Sequence, residues 1–88
     1  MTTEQIAKFF SVNKNQEVPV RISFKTRNNV IGIFIKTPDF DELKSKNFWR
    51  IVPQSQLEAY KSSKNANLAK IFNGAEFSRL ATYQESFD

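Results

Sequence analysis

The chain has 88 residues and contains neither cysteine nor histidine. Without cysteine there is no disulfide, no thiolate chemistry and no cysteine-based zinc site. Small secreted domains commonly rely on such staples, so this absence points to the cytoplasm. Without histidine, the commonest general base and the commonest metal ligand are missing. Ser45, Ser62 and Ser63 therefore have no imidazole to activate them. Glycine is limited to Gly32 and Gly74, which excludes a glycine-rich phosphate loop. Asp39, Asp41 and Glu42 make an acidic knot, but no calcium-type loop surrounds it, so it reads as a solvated loop. No apolar run nears the roughly 20 residues of a membrane span. The first ten residues carry Glu4 and no basic stretch ahead of an apolar one, so they do not read as a signal peptide. These absences lead us to expect no enzyme, no cofactor and no metal.

What is present is aromatic and basic. Nine Phe within a 40% apolar composition are enough to build a small core and argue against general disorder. A chain of this length reads as a single domain, 1–88, burying roughly 60–65% of its unfolded surface. The net charge of +4 suits an anionic partner.

Residues 1–12 read as an amphipathic helix. Thr2 and Gln5 have capping-box spacing, and Ile6, Phe9 and Phe10 form one apolar stripe. Asn13 to Gln16 end it with turn residues. From Glu17 to Thr26 the pattern alternates. Val18, Val20, Ile22 and Phe24 share one face; Pro19, Arg21, Ser23 and Lys25 share the other. Pro19 should sit at an edge or ahead of the ladder. Arg27-Asn28-Asn29 suits a hairpin turn. Val30 to Lys36 is a nearly continuous apolar strand, and Gly32 inside it marks a bend or a close backbone approach. Residues 37–46 read as a loop with one helical turn, 47–52 as a third strand ended by Pro53, and 54–64 as a short helix with Leu57 and Tyr60 on one face. Leu68 to Phe72 fits a strand, but its spacing also fits a helix, and both readings stand. Ala75 to Thr82 reads as a strand beyond the turn dipeptide Asn73-Gly74, and 84–88 as a frayed tail.

Two strings fit one pattern together. The first is Phe24-Lys25-Thr26-Arg27-Asn28-Asn29-Val30-Ile31-Gly32-Ile33-Phe34, led by Val20 and Ile22. The second is Phe72-Asn73-Gly74-Ala75-Glu76-Phe77-Ser78-Arg79-Leu80. With the leading helix, these resemble the two halves of the Sm-like signature over about Thr2–Phe34 and Leu68–Leu80. The resemblance implies a mainly β fold. A short N-terminal helix would lie on a five-stranded, strongly bent antiparallel SH3-like barrel spanning 17–83, with a short helix inserted before the last two strands. It also implies RNA binding, and ring assembly through Leu68–Phe72 and Ala75–Thr82. Ile71, Phe77 and Leu80 suit such a seam and equally suit a monomer core. The chain departs from the family at the nucleotide pocket. Asn47 resembles the pocket's Asn but arrives late; aligned from it, Leu43 stands at the Asp position and Ser45 at the stacking position. Asn73 replaces the Arg of the second motif, so at most Asn47, Asn73 and Gly74 carry over.

The expected function is a non-catalytic binding module for RNA or single-stranded DNA, possible as a homo-oligomer. Lys44, Lys46 and Arg50 cluster in sequence with Phe48 and Trp49, offering charge for phosphates and a ring for a base, with Asn47 near a base edge. Arg21, Lys25 and Arg27 lie on or beside the polar face of the first hairpin. Against this, a lone Trp in a small barrel is usually needed for packing, and Asn47 and Asn73 equally serve turns. The alternative function is a protein-interaction module or assembly subunit using the barrel groove or an edge strand.

Overall fold

The computed structural model describes residues 1–12 and 18–83. The expected turn at Asn13 to Gln16, residue Glu17 and the tail at 84–88 lie outside the described residues. Helix α1 spans Thr3–Val12. The capping box forms: the Thr2 amide donates to Gln5 Oε1 at 2.9 Å, and the Gln5 amide donates to Thr2 Oγ1 at 3.2 Å. Strands β1 (Val20–Phe24) and β2 (Val30–Phe34) follow, then α2 (Phe40–Ser45) and β3 (Phe48–Pro53). A 3₁₀ turn at Gln54–Gln56 leads into α3 (Leu57–Ser63). A second one, at Ala66–Leu68, precedes β4 (Lys70–Asn73). A third, at Gly74–Glu76, precedes β5 (Phe77–Thr82).

All five strands form one antiparallel sheet in the order β4-β3-β2-β1-β5. The sheet curls on itself. Although β2 and β3 separate β1 from β4, the Phe24 and Phe72 rings stand 5.9 Å apart. The result is barrel-like but not closed, because β4 and β5 are the two edges of the sheet and do not pair with each other. The expected turn at Asn73-Gly74 is present between β4 and β5. The chain makes a 3₁₀ turn there and sends β4 to β3 and β5 to β1. The ambiguous segment also resolves: a 3₁₀ turn at its start, then a strand.

The concave face holds Ile6, Val20, Ile22, Phe24, Trp49, Ile51, Phe77 and Leu80, with α1 packed across them. Phe34 links three rings in this cluster, meeting Phe10 at 4.7 Å, Trp49 at 6.0 Å and Phe77 at 6.3 Å, all edge-on. Each such pair adds about 0.5–1.5 kcal/mol beyond area burial. The convex face of β2–β3 is also covered. Ile33, Val52, Ile35 and Tyr60 form a second cluster against which Leu57 packs. Burial on both faces explains why the 30–36 run is continuous rather than alternating. Pro19 precedes the ladder, as its missing N–H requires, and its carbonyl accepts from the Tyr83 amide at 2.9 Å.

Gly32 is a close approach. A Cβ there would stand 2.5 Å from the Val52 carbonyl oxygen and 2.8 Å from Ile51 Cγ2. Gly32→Ala must push β2 and β3 apart, so it should cost about 1–3 kcal/mol in urea denaturation. An unchanged midpoint would show that the pair tolerates a methyl group.

Candidate nucleic-acid interface

The residues expected to group around Trp49 do come together, but mostly to hold the fold. Trp49 is 3% exposed, so its faces meet Phe34 and Phe40 rather than solvent. Its Nε1 donates to Asn47 Oδ1 at 2.8 Å. Asn47 sits at φ 61°, a left-handed conformation that Asn accepts more readily than most residues. Its Nδ2 donates to the Met1 carbonyl at 2.9 Å, and its own carbonyl accepts from the Gly74 amide at 2.8 Å. Gly74 is buried, and a Cβ there would run into Asn47 Oδ1, Ile6 and Trp49. Asn73 caps the following turn, its Oδ1 accepting from the Ala75 amide at 3.0 Å. Asn47, Asn73 and Gly74 thus follow turn and packing chemistry, and Trp49 offers no stacking face.

The neighbouring cations divide. Arg50 is engaged by Asp39 through two contacts, Nε to Oδ1 at 3.3 Å and a terminal nitrogen to Oδ2 at 2.8 Å. Thr37 Oγ1 also donates to Asp39 Oδ1. The Arg50 and Thr37 hydrogen bonds hold the Asp39 carboxyl at about 2, below its ordinary 3.8. Lys46 approaches Glu42 at 3.9 Å with both side chains exposed, a pairing that contributes little. Lys44 is half-buried; its carbonyl accepts from Thr3 Oγ1 at 3.2 Å.

A second group of cations lies elsewhere. On β1 and β5, Ser23 pairs with Arg79 and Arg21 with Ala81, while Val20, Ile22 and Leu80 are buried. Arg21 and Arg79 therefore share the convex face. The Arg21 guanidinium stands 5.5 Å from the Tyr83 ring. Lys25 and Arg27 are exposed in the β1–β2 turn, and Arg27 covers Phe24 at 5.0 Å and Phe72 at 5.9 Å. Lys8 is exposed on α1. Among the described residues, none of these five cations makes an ion pair with a carboxylate. Sequence reasoning singled out Arg21, Lys25 and Arg27 but not Lys8 and Arg79. Only the β1–β5 register, a pairing between the two ends of the chain, sets Arg79 beside Ser23.

No group of three or more acidic, cysteine or histidine side chains among the described residues stands ready to hold a metal, and none of their helices is long and apolar enough to cross a membrane. No protein family, curated protein or solved structure matches the chain.

Two outcomes follow from this geometry. Asn47→Ala removes the acceptor of Trp49 Nε1 and strains the backbone; it should cost about 1–3 kcal/mol for each buried group left unpaired. Asn47→Gly should recover only the backbone part, and urea midpoints equal to the parent in both variants would remove Asn47 as a stabilising centre. For Asp39, the folded value lies below the unfolded one, so its contribution is present above 3.8 and lost as pH falls to about 2. Asp39→Asn should therefore be less stable than the parent at neutral pH and converge with it near pH 2. A stability gap that persists at acid pH would show that the Arg50 contact is not its source.

Proposed function

We propose that the chain is a non-catalytic, cytoplasmic binding module, a divergent Sm-like one, that holds RNA or single-stranded DNA on the basic surface formed by α1, the β1–β2 turn and the convex side of β1 and β5. The observation that carries this reading is that Lys8, Arg21, Lys25, Arg27 and Arg79 gather on adjoining elements and, like Lys36, Lys44, Lys61 and Lys70 elsewhere, lack carboxylate partners among the described residues. Phosphates supply the missing counter-charge. Arg21 and Arg27 are already held against aromatic rings, which orders their guanidinium planes. The helix-first element order and the strand order β4-β3-β2-β1-β5 support the Sm-like assignment. Asn47, Trp49, Arg50, Asn73 and Gly74 move from direct contact to support, because packing, caps and Asp39 occupy them, while Lys44 and Lys46 keep side chains open to a phosphate beside α2.

A second reading rests on the sheet edges. Both β4 and β5 have one unpaired edge, and Ile71 on β4 is 51% exposed beside them. Such edges accept a strand from a second copy or from a protein partner.

Anisotropy titration of labelled U-rich and A-rich single-stranded RNA tests the first reading. Affinity should fall with salt at a log–log slope of about −0.7 per phosphate contacted. Arg21→Ala with Arg79→Ala should flatten that slope, whereas Lys61→Ala on α3 should leave it alone. Binding insensitive to salt, or absent at low salt, would refute the reading. Light scattering of the parent and Ile71→Lys tests the second: a multimer dispersed by the charge supports it, and a monomeric parent that retains no protein from nuclease-treated lysate excludes it.

A further inference from the structure

On the convex side of β1 and β5 the ladder sets an arginine opposite a small residue twice in succession. Arg21 pairs with Ala81, and Ser23 pairs with Arg79. Arg21 and Arg79 are thus diagonal neighbours, about 7–8 Å apart at the backbone and within reach of each other's long side chains. Ser23 and Ala81 occupy the other two corners, and neither is large enough to fill the space between two guanidinium groups. Both arginines are exposed. Beneath them Val20, Ile22 and Leu80 are buried in the core, which fixes the backbone that carries the pair.

Two like charges so placed repel each other. The Tyr83 amide donates to the Pro19 carbonyl at 2.9 Å, which puts Tyr83 on the far side of Arg21 from Arg79. The Arg21 guanidinium stands 5.5 Å from that ring. Glu76, the acid nearest along the chain to Arg79, is exposed and pairs with neither arginine. An anion between the two guanidinium groups turns their repulsion into two attractions. Its shape matters. A carboxylate is planar, and one guanidinium fork fills both its oxygens. A phosphate is tetrahedral and presents oxygens in two directions, so it accepts from two forks at once. Lys25 and Arg27 extend the charge along the end of β1 and its turn. That extension suits a phosphate within a chain of phosphates better than an isolated ion.

We propose that Arg21 and Arg79 grip one and the same phosphate of a bound single strand, over a floor of Ser23 and Ala81. The inference rests on the nucleic-acid reading above.

A double-mutant cycle on the full chain tests it, with the labelled single-stranded RNA titrated at several salt concentrations. Arg21→Ala and Arg79→Ala should each weaken binding about tenfold. Together they should weaken it little more than either alone, and reduce the magnitude of the salt slope by about 0.7, one phosphate's worth. Losses that multiply to about a hundredfold, with the slope reduced by about 1.4, mean two separate phosphates and overturn the shared grip. Arg79→Lys keeps the charge and loses the fork, so the slope should hold while affinity falls; full affinity in that variant overturns the two-fork geometry. In the parent protein, a uridine dinucleotide with a single phosphodiester should move the Nε–H NMR signals of Arg21 and Arg79 with one dissociation constant. Movement of only one of them overturns the proposal. A double variant that binds with the parent's affinity and slope removes this site but leaves the rest of the basic surface standing. Failure of the parent to bind any oligomer at low salt overturns both. Tighter binding of an oligoglutamate than of RNA at the same salt overturns the phosphate assignment.

Discussion

Asn47 joins three parts of the chain that are far apart in sequence. Its side chain accepts from Trp49 and donates to the Met1 carbonyl, and its carbonyl accepts from the Gly74 amide. The start of α1, the entry to β3 and the turn between β4 and β5 are thereby held at one point. The geometry permits little substitution. Asn accepts the left-handed backbone, carries both a donor and an acceptor, and is short enough to stay beneath Trp49. Gly74 is its counterpart, since any side chain there would displace Asn47, Ile6 or Trp49. With this point in place, α1 lies across the concave face and Ile6 becomes fully buried.

The same arrangement decides where charge is left over. β2 and β3 are covered on both faces, by α1 and the curled sheet on one side and by Tyr60 and its neighbours on the other. The region around α2 settles Arg50 against Asp39. Among the described residues, no buried cluster covers the convex face of β1 and β5, and its cations and those of the adjoining turn and helix have no carboxylate partners. Binding is thus proposed on the part of the sheet that packing does not occupy. Two sheet edges also remain, because β4 and β5 part to opposite sides after Gly74 instead of closing the barrel.

Much of the local structure was legible in the residues. The Thr2–Gln5 spacing and the Ile6, Phe9 and Phe10 stripe marked α1, and the alternation through Val20, Ile22 and Phe24 marked β1 and its buried face. Gly32 marked the close approach to β3. The Asn73-Gly74 dipeptide announced a change of direction but not a partner, since a turn residue encodes local dihedrals and not which strand lies beside the next one. The site was less legible for a related reason. Lys44, Lys46, Trp49 and Arg50 are close in sequence, yet proximity along the chain does not report that Trp49 points into the core or that Asp39 engages Arg50.

What the sequence by itself determined is therefore chemical and local: no thiol, no imidazole, a phenylalanine-rich core, an excess of cations, and the helix and strand periods. These follow from composition and from contacts within a few residues. The tertiary structure alone decided which cations are neutralised and which stay open, and that Arg21 and Arg79 share one face of the sheet. The reason is physical. Arg79 reaches Ser23, and Met1 reaches Gly74, only through pairing between the two ends of the chain, and that pairing is set by burial of the whole core rather than by any short segment.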